Sequence, residues 1–489
     1  FTSRNFSIIS FLFSGATAGF FGRLNYNYKE KYLLEVNGRY DGTSRFMKDQ
    51  RWTFFPSFSL GWNVARENFW KPLESVVNQF KLRGSWGELG NQNTSNLYPF
   101  YEILPVKSNS GNWLVNGGKT NTADIPSLVS TLLTWERVRS FNVGFDFGAF
   151  SNRLTGSFDY FVRKTVDMVG PAPQLPLVLG IAPAIVNNAD MKSYGFEIEL
   201  SWRDRIGEVD YGVKFNLADA QQKVVKYPNT TNAFSDWYAG KMSGEIWGYT
   251  SLGIAKTDEE MKEHLASLPN GGQNQLGNKW GAGDIMYADI NGDGKVDGGK
   301  GTLADPGDQR IIGNSTPRYN FGLVLDTSYK GFDVSIFFQG VGKRDYAPIV
   351  GTNGAVFWGA VNNIWQSMAM EEHFDYFRPE GHPMGANLNG YYPRPDFTSN
   401  KNHQVQTRYL QDASYIRLKN LQIGYTLPKQ WINKLHINRC RVYVSGDNLW
   451  TGTSLASMFD PETLAAGDWG SGKTYPLSKV ISFGLNVNF

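Results

Sequence analysis

Asp289-Ile-Asn-Gly-Asp-Gly-Lys-Val-Asp297 places carboxylate and amide oxygens at alternate positions, with the D-x-N-x-D-G spacing of a calcium loop. A hard cation wants several oxygens converging on one point, and glycine permits the tight turn between them. Asp289, Asn291, Asp293 and Asp297 would supply side chains, and Lys295 its backbone carbonyl. Position twelve is Lys300, where an EF-hand needs a bidentate Glu, so Asp305 or Asp308 would have to substitute. The expectation is a structural calcium ion pinning a long loop. The plain alternative is an Asx-rich turn held by its own hydrogen bonds.

Other reactive patterns are weaker. Gly294 to Gly301 nearly matches a phosphate loop, but it lacks the Ser/Thr and no buried strand precedes it. His264, His373, His382, His403 and His436 show no zinc spacing. No nucleophile elbow occurs, so an enzyme has no positive support. Cys440, the single cysteine, excludes an internal disulfide framework and has no evident activating neighbour.

Aromatic residues are the remaining candidates: Trp113, Trp237, Tyr238, Trp247, Trp280, Trp358, Trp365, Tyr391 and Tyr392. Their faces can stack on sugar rings, covering C–H surface while the hydroxyls stay hydrogen-bonded. As a group they point to a substrate chamber. For any one of them, packing within a loop is the simpler account, and peptide binding would use the same residue types.

The elements that must carry these loops are strands. Along most of the chain, apolar and polar residues alternate with a period of two. Ile481, Phe483, Leu485, Val487 and Phe489 share one face, and Ser482, Gly484, Asn486 and Asn488 the other. Tyr194, Phe196, Ile198, Leu200 and Trp202 likewise oppose Glu197 and Glu199. Charge on the non-core face of nearly every strand suits a barrel with lipid outside and a polar interior.

Connections alternate in length. Tight turns fall at 29–31, 149–153, 204–208 and 329–331. Those at 65–79 and 428–440 are moderate, each with room for a helical turn. Long connections fall at 89–137, 164–193, 219–318, 341–413 and 450–478, with a shorter one at 41–53. Unstructured loops of such length argue against a soluble domain. In outer-membrane barrels short turns face the periplasm and long loops the outside.

The 489 residues show no compositional break, 15% are aromatic, and 53 are Gly. A net charge of +3 with scattered Lys and Arg argues against a nucleic-acid partner. No apolar run reaches the roughly 18–20 residues of a membrane helix. Residues 4–18 imitate a signal peptide but have a short apolar stretch and run straight into a strand pattern, so they read as a loop. The count is roughly thirteen strands, whereas single-chain bacterial barrels have even counts. The expectation is therefore an all-β transmembrane antiparallel barrel of which this chain is the C-terminal portion, with earlier strands and any plug elsewhere.

Several phrases resemble the SusC/RagA family of TonB-dependent outer-membrane transporters. They are Phe21-Gly-Arg-Leu-Asn-Tyr-Asn-Tyr28, Arg39-Tyr-Asp-Gly-Thr-Ser-Arg-Phe46, Phe55-Pro-Ser-Phe-Ser-Leu-Gly-Trp62, Leu82-Arg-Gly-Ser-Trp-Gly87, Ala288 to Val296, Gly307-Asp-Gln-Arg-Ile-Ile-Gly313 and Tyr415-Ile-Arg-Leu-Lys-Asn-Leu421. The resemblance implies a barrel of about 22 strands with an N-terminal plug. It further implies a SusD-like lipoprotein lid, energy from the TonB complex, and oligosaccharide or peptide cargo. Contact with membrane lipid or lipopolysaccharide and a dimer of barrel–lid pairs would follow. No counterpart of the plug or TonB box is seen. Two rivals stand beside this reading: a passive porin and a secreted glycan-binding adhesin.

Overall fold

The computed structural model describes residues 15–92, 94, 97–170, 178, 180–181, 183–347, 355–359, 369–396, 401–433, 436–464 and 475–489. Thirteen long strands form one antiparallel sheet in chain order. They are β1 Thr17–Tyr28, β2 Tyr32–Thr43, β3 Trp52–Asn63, β4 Val77–Asn91, β5 Glu136–Ala149, β6 Leu154–Gly170 and β7 Val186–Ile206. Then come β8 Val209–Lys226, β9 Arg318–Tyr329, β10 Phe332–Lys343, β11 Tyr415–Thr426, β12 Arg439–Thr453 and β13 Val480–Asn488. Each strand pairs with its sequence neighbours, and one edge each of β1 and β13 has no strand partner among the described residues.

Register turns the period-two pattern into two surfaces. Trp62, Leu82, Phe145, Phe158, Ile198, Leu217 and Phe321 lie side by side on seven consecutive strands. One residue along, Asn63, Lys81, Asp146, Ser157, Glu199, Asn216 and Gly322 make the matching row on the opposite face. A slip of one residue would exchange the two faces, so the pattern itself fixes the register. Outward apolar side chains stay uncovered: Leu60 is 61% exposed and Phe483 84%. A contiguous apolar surface on that scale demands a cover.

Aromatic rings border this surface at both ends. At the short-turn end Tyr28, Tyr32 and Trp62 stack in series, centroids 6.5 Å apart at each step. At the other end Trp52 stacks on Tyr40 at 5.1 Å and on Phe20 at 6.1 Å. From Tyr32 to Tyr40 the strand climbs roughly 27 Å, the scale of an outer-membrane apolar band with its aromatic girdles.

The tight turns leave two to four residues between paired strands. Lys330 (φ +47°) and Gly331 (φ +89°) join β9 to β10, the left-handed pair that matches strand twist in a hairpin. The moderate connections hold the expected helical turns, Asn68–Leu73 after β3 and Lys429–Ile432 after β11. The connection read as 164–193 shrinks to 171–185. Beyond Thr165, β6 and β7 keep pairing through a register shift before Met168, and a bulge of this kind was not visible in the alternation. Most of segment 4–18 lies outside the described residues, while Thr17 and Ala18 open β1 rather than sit in a loop.

Where described, the long connections are folded rather than structureless. Glu245–Gly248 pairs with Arg310–Asn314, and Ser251–Ile254 with Ile285–Tyr287. Helix α1, Asp258–Ala266, is capped by Thr257 Oγ1, which accepts from the Glu260 amide at 3.1 Å. Within the β10–β11 connection Asp345–Tyr346 pairs with Gln411–Asp412, and across connections Arg344 donates to the Pro461 and Leu464 carbonyls. The main buried core lies here, around Tyr249, Tyr287, Phe357, Trp358, Tyr392, Tyr409 and Phe459.

Candidate functional site

The inward face is polar and pairs its own charges. Arg83 bridges Asp146 at 2.9 Å and Asp159 at 2.8 Å, joining β4, β5 and β6. Arg441 on β12 reaches Asp333 on β10. Near the loops, Arg417 binds Asp460 and Glu462, each at 2.7 Å, and Lys419 holds Glu462 at 2.9 Å. These pairs tie the connection after β12 to the wall. A wall built this way offers hydrogen-bonding groups with little net field.

Above the wall, Asp284 organises the loop assembly. Its carboxylate accepts from Lys401 Nζ at 2.8 Å, Arg394 at 2.9 Å, Asn402 at 2.9 Å and the Gly281 amide at 2.9 Å. Lys401 is 1% exposed, donates also to the Lys279 carbonyl, and lies 5.1 Å from the Trp280 ring centroid. A buried charge pair is tolerated only with its remaining donors and acceptors filled, as here.

Beside this network is a cavity of about 330 Å³ walled by Trp358, His373, Phe374, Tyr376, Tyr392 and His403, with Arg394 at its edge. Trp358 and His403 stack with centroids 4.3 Å apart and are both nearly inaccessible. The Trp358 indole N–H and the His403 Nδ1 have no hydrogen-bond partner among the described residues. Burial pulls the His403 pKa down to about 4, so its ring is neutral at physiological pH. Phe374 presents an exposed ring.

The aromatic candidates therefore divide. Trp280, Trp358, Tyr391 and Tyr392 come together in the loop core. Tyr391 accepts from Gln411 at 2.6 Å, and burial raises the pKa of both tyrosines. Trp247 stacks on Phe234 at 4.6 Å, and Trp237 packs on Tyr227 at 5.8 Å. The Tyr238 hydroxyl donates to Glu245 at 2.5 Å, and burial, with that bond, pushes its pKa up to about 12. Trp113 stands exposed beside the small hairpin Leu114–Val115 with Gly118–Lys119. Trp365 lies outside the described residues. Phe374 and the Asp284–Lys401 pair carry no signal in the sequence, and His403 stands there only as a histidine without zinc spacing, because isolated residues in a loop show no period.

The Asp289–Asp297 loop spends its oxygens internally. Asp289 accepts from the Gly292 and Gly294 amides at 2.6 and 2.8 Å, and Asn291 from Asp293 at 3.0 Å. Asp293 accepts from the Lys295 amide, and Asp297 from Gly299. Asp308 binds the Ile290 and Asp297 amides from across the loop. Asp305 has its own amide bonded to the Thr302 hydroxyl. The Lys295 ammonium sits 2.5 Å from Asp297, occupying the place of a cation, and that hydrogen bond lowers the carboxyl pKa. Among the described residues no three His, Cys, Asp or Glu side chains gather to hold a metal. In this arrangement the loop is an Asx-stabilised turn, its oxygens hydrogen-bonded within the loop.

Comparison with known proteins agrees with this architecture. The family described as TonB dependent receptor-like, beta-barrel matches residues 9–449. TonB-dependent receptor P3 of Formosa agariphila is 30% identical, aligned over 96% of this chain and 45% of its own length. TonB-dependent receptor SusC of Bacteroides thetaiotaomicron is 24% identical over 96% and 43%. The solved RagAB peptide transporter superposes with a TM-score of 0.74 at 23% identity, covering 97% of this chain and 48% of that one. The chain thus spans less than half the length of these relatives. It belongs to the TonB-dependent receptor-like β-barrel family.

Proposed function

We propose that this chain forms barrel wall and outer loops of an active outer-membrane importer of oligosaccharides, driven through TonB and covered by a SusD-like lipoprotein lid. The observation that carries this reading is the pairing of two surfaces. An apolar, girdled exterior suits lipid, and the inward face is polar with several of its charges paired on one another. Such a lumen favours bulky, hydroxyl-rich, uncharged cargo over ions. Open sheet edges are not stable in hydrocarbon, so the free edges of β1 and β13 require further strands to close the wall. On this reading, those strands, a plug and a TonB-coupling segment lie beyond the portion of the relatives' length that this chain matches.

A second reading, peptide import, is favoured by one observation, the largely apolar lining of the Trp358–Tyr392 cavity. The inward face, rich in hydrogen-bonding groups, supports sugar more directly, because a hydroxyl both donates and accepts. The test is uptake of fluorescent gluco-, manno-, xylo- and galacto-oligosaccharides by cells with and without the gene, before and after collapse of the proton gradient. Uptake of at least one series that needs both gene and gradient is expected. Peptide uptake alone would establish the second reading, and gradient-independent diffusion would make the protein a porin.

A further inference from the structure

The outward face changes character abruptly at the long-connection end of β5 to β8. Phe141, Val162 and Tyr194 sit side by side as the last apolar belt residues of β5, β6 and β7. Two residues on, in the same register, come Arg139, Lys164 and Lys192, with Lys223 next to them on β8. The four are direct neighbours, about 4.8 Å from strand to strand, and all point outward. Because barrel strands tilt, the row climbs away from the belt edge as it goes.

The acids nearby are engaged or offset. Glu88 on β4, opposite Arg139, is held by Arg139 at 2.8 Å and Arg137 at 2.6 Å. Asp190 lies two residues beyond Lys192 and accepts from the Asp167 amide at 3.0 Å. Lys164, Lys192 and Lys223 have no carboxylate partner among the described residues. The Lys192 ammonium instead lies 5.1 Å from the Tyr194 ring centroid, over the belt's aromatic edge. Like charges directly opposite one another weaken strand pairing. Any one lysine here is explained by solvation. Three abreast, one step past the apolar belt and unrelieved by acids, are explained by an anion that the row shares.

We infer that Arg139, Lys164, Lys192 and Lys223 form a docking row for the phosphate groups of an anionic outer-leaflet lipid. Tyr194 marks the interface level at which headgroups lie. At one strand spacing, neighbouring ammonium groups reach oxygens of a common phosphate. Each cation at a membrane surface strengthens binding by about fivefold, so removing three lysines should weaken it on the order of a hundredfold.

The inference rests on the membrane reading of the sheet, and the experiment separates the two. The full protein is extracted from its own membrane, reconstituted in neutral-lipid nanodiscs, and titrated with bisphosphoryl lipid A, dephosphorylated lipid A and inorganic phosphate. Wild type should bind bisphosphoryl lipid A, the triple variant Lys164→Gln, Lys192→Gln, Lys223→Gln far more weakly, and dephosphorylated lipid A should not compete. Equal binding by the variant, or equal binding of the dephosphorylated lipid, overturns the site while leaving the barrel intact. Full displacement by inorganic phosphate would mean a free-anion site instead of a lipid one. A protein that fractionates as soluble and never enters nanodiscs would overturn the membrane reading itself. The lysines are exposed or half-buried surface groups, and a Gln at each keeps a polar, uncharged side chain there, so the folded barrel should survive the substitutions.

Discussion

Among the histidines, His403 is the one whose protonation is most strongly governed by its surroundings. Its imidazole is buried against Trp358, and burial disfavours the charged form, so the folded pKa near 4 lies below the unfolded value of about 6.5. Between those values the unfolded chain binds the extra proton. Stability of the loop assembly is therefore complete above about pH 6.5 and falls as pH drops toward 4. The full difference is on the order of 3 kcal/mol. Hydrogen exchange of amides 401–409, corrected for intrinsic rate, should accelerate on acidification to pH 4.5. In His403→Phe this pH dependence should vanish, and an unchanged profile would mean that His403 is solvated. None of this was legible in the sequence. Lys401-Asn402-His403 reads as an exposed polar run, and only the fold brings Asp284, more than a hundred residues away, to neutralise the buried lysine. The Asp289–Asp297 motif was legible as a turn, but its ligand spacing could not reveal that Lys295 folds back onto Asp297.

At the scale of the element, the strand is the unit the sequence reveals best, because a period of two survives whatever covers each face. Phe158 and Ser157 are adjacent on β6 yet point to opposite solvents. Phe158 packs on Phe145 at 5.6 Å in the outward belt, whereas Ser157 lies between Asp146 and Glu199 on the inward face. Phe158→Arg should cost about 2–4 kcal/mol near the bilayer centre. Ser157→Arg should cost little, its charge being met by flanking acids. Urea unfolding in lipid vesicles, followed by heat-modifiable gel mobility, measures both; equal costs would contradict the assignment of faces. Connections were the opposite case. Their lengths were clear, but their internal ladders, the bulge beyond Thr165 and the shared loop core depend on contacts between segments far apart in the chain. Alternation carries no information about such contacts. The same reasoning explains the aromatic candidates: residue type marked them, and only tertiary packing separated Trp280, Trp358, Tyr391 and Tyr392 from the exposed Trp113.

At the scale of the whole molecule, the decisive constraint is that hydrocarbon offers no hydrogen bonds. A sheet with an apolar belt across its outer face must have every backbone group in that belt paired, which only closure achieves. Thirteen strands with two free edges do not meet that condition alone, and the relatives that share this sheet are more than twice as long as their matched portions. The protein extracted in mild detergent from its own membrane should therefore show an intact mass well above 54.9 kDa. A lipoprotein should remain bound to it, because the long connections build a folded outer platform with a cavity of its own. Both expectations follow from one energetic argument, and native mass spectrometry tests them together. A lone species at 54.9 kDa would require the edges of β1 and β13 to pair with each other or with a second copy. A cross-link between those two strands, within one chain or between two, would then tell a small closed barrel from a shared one.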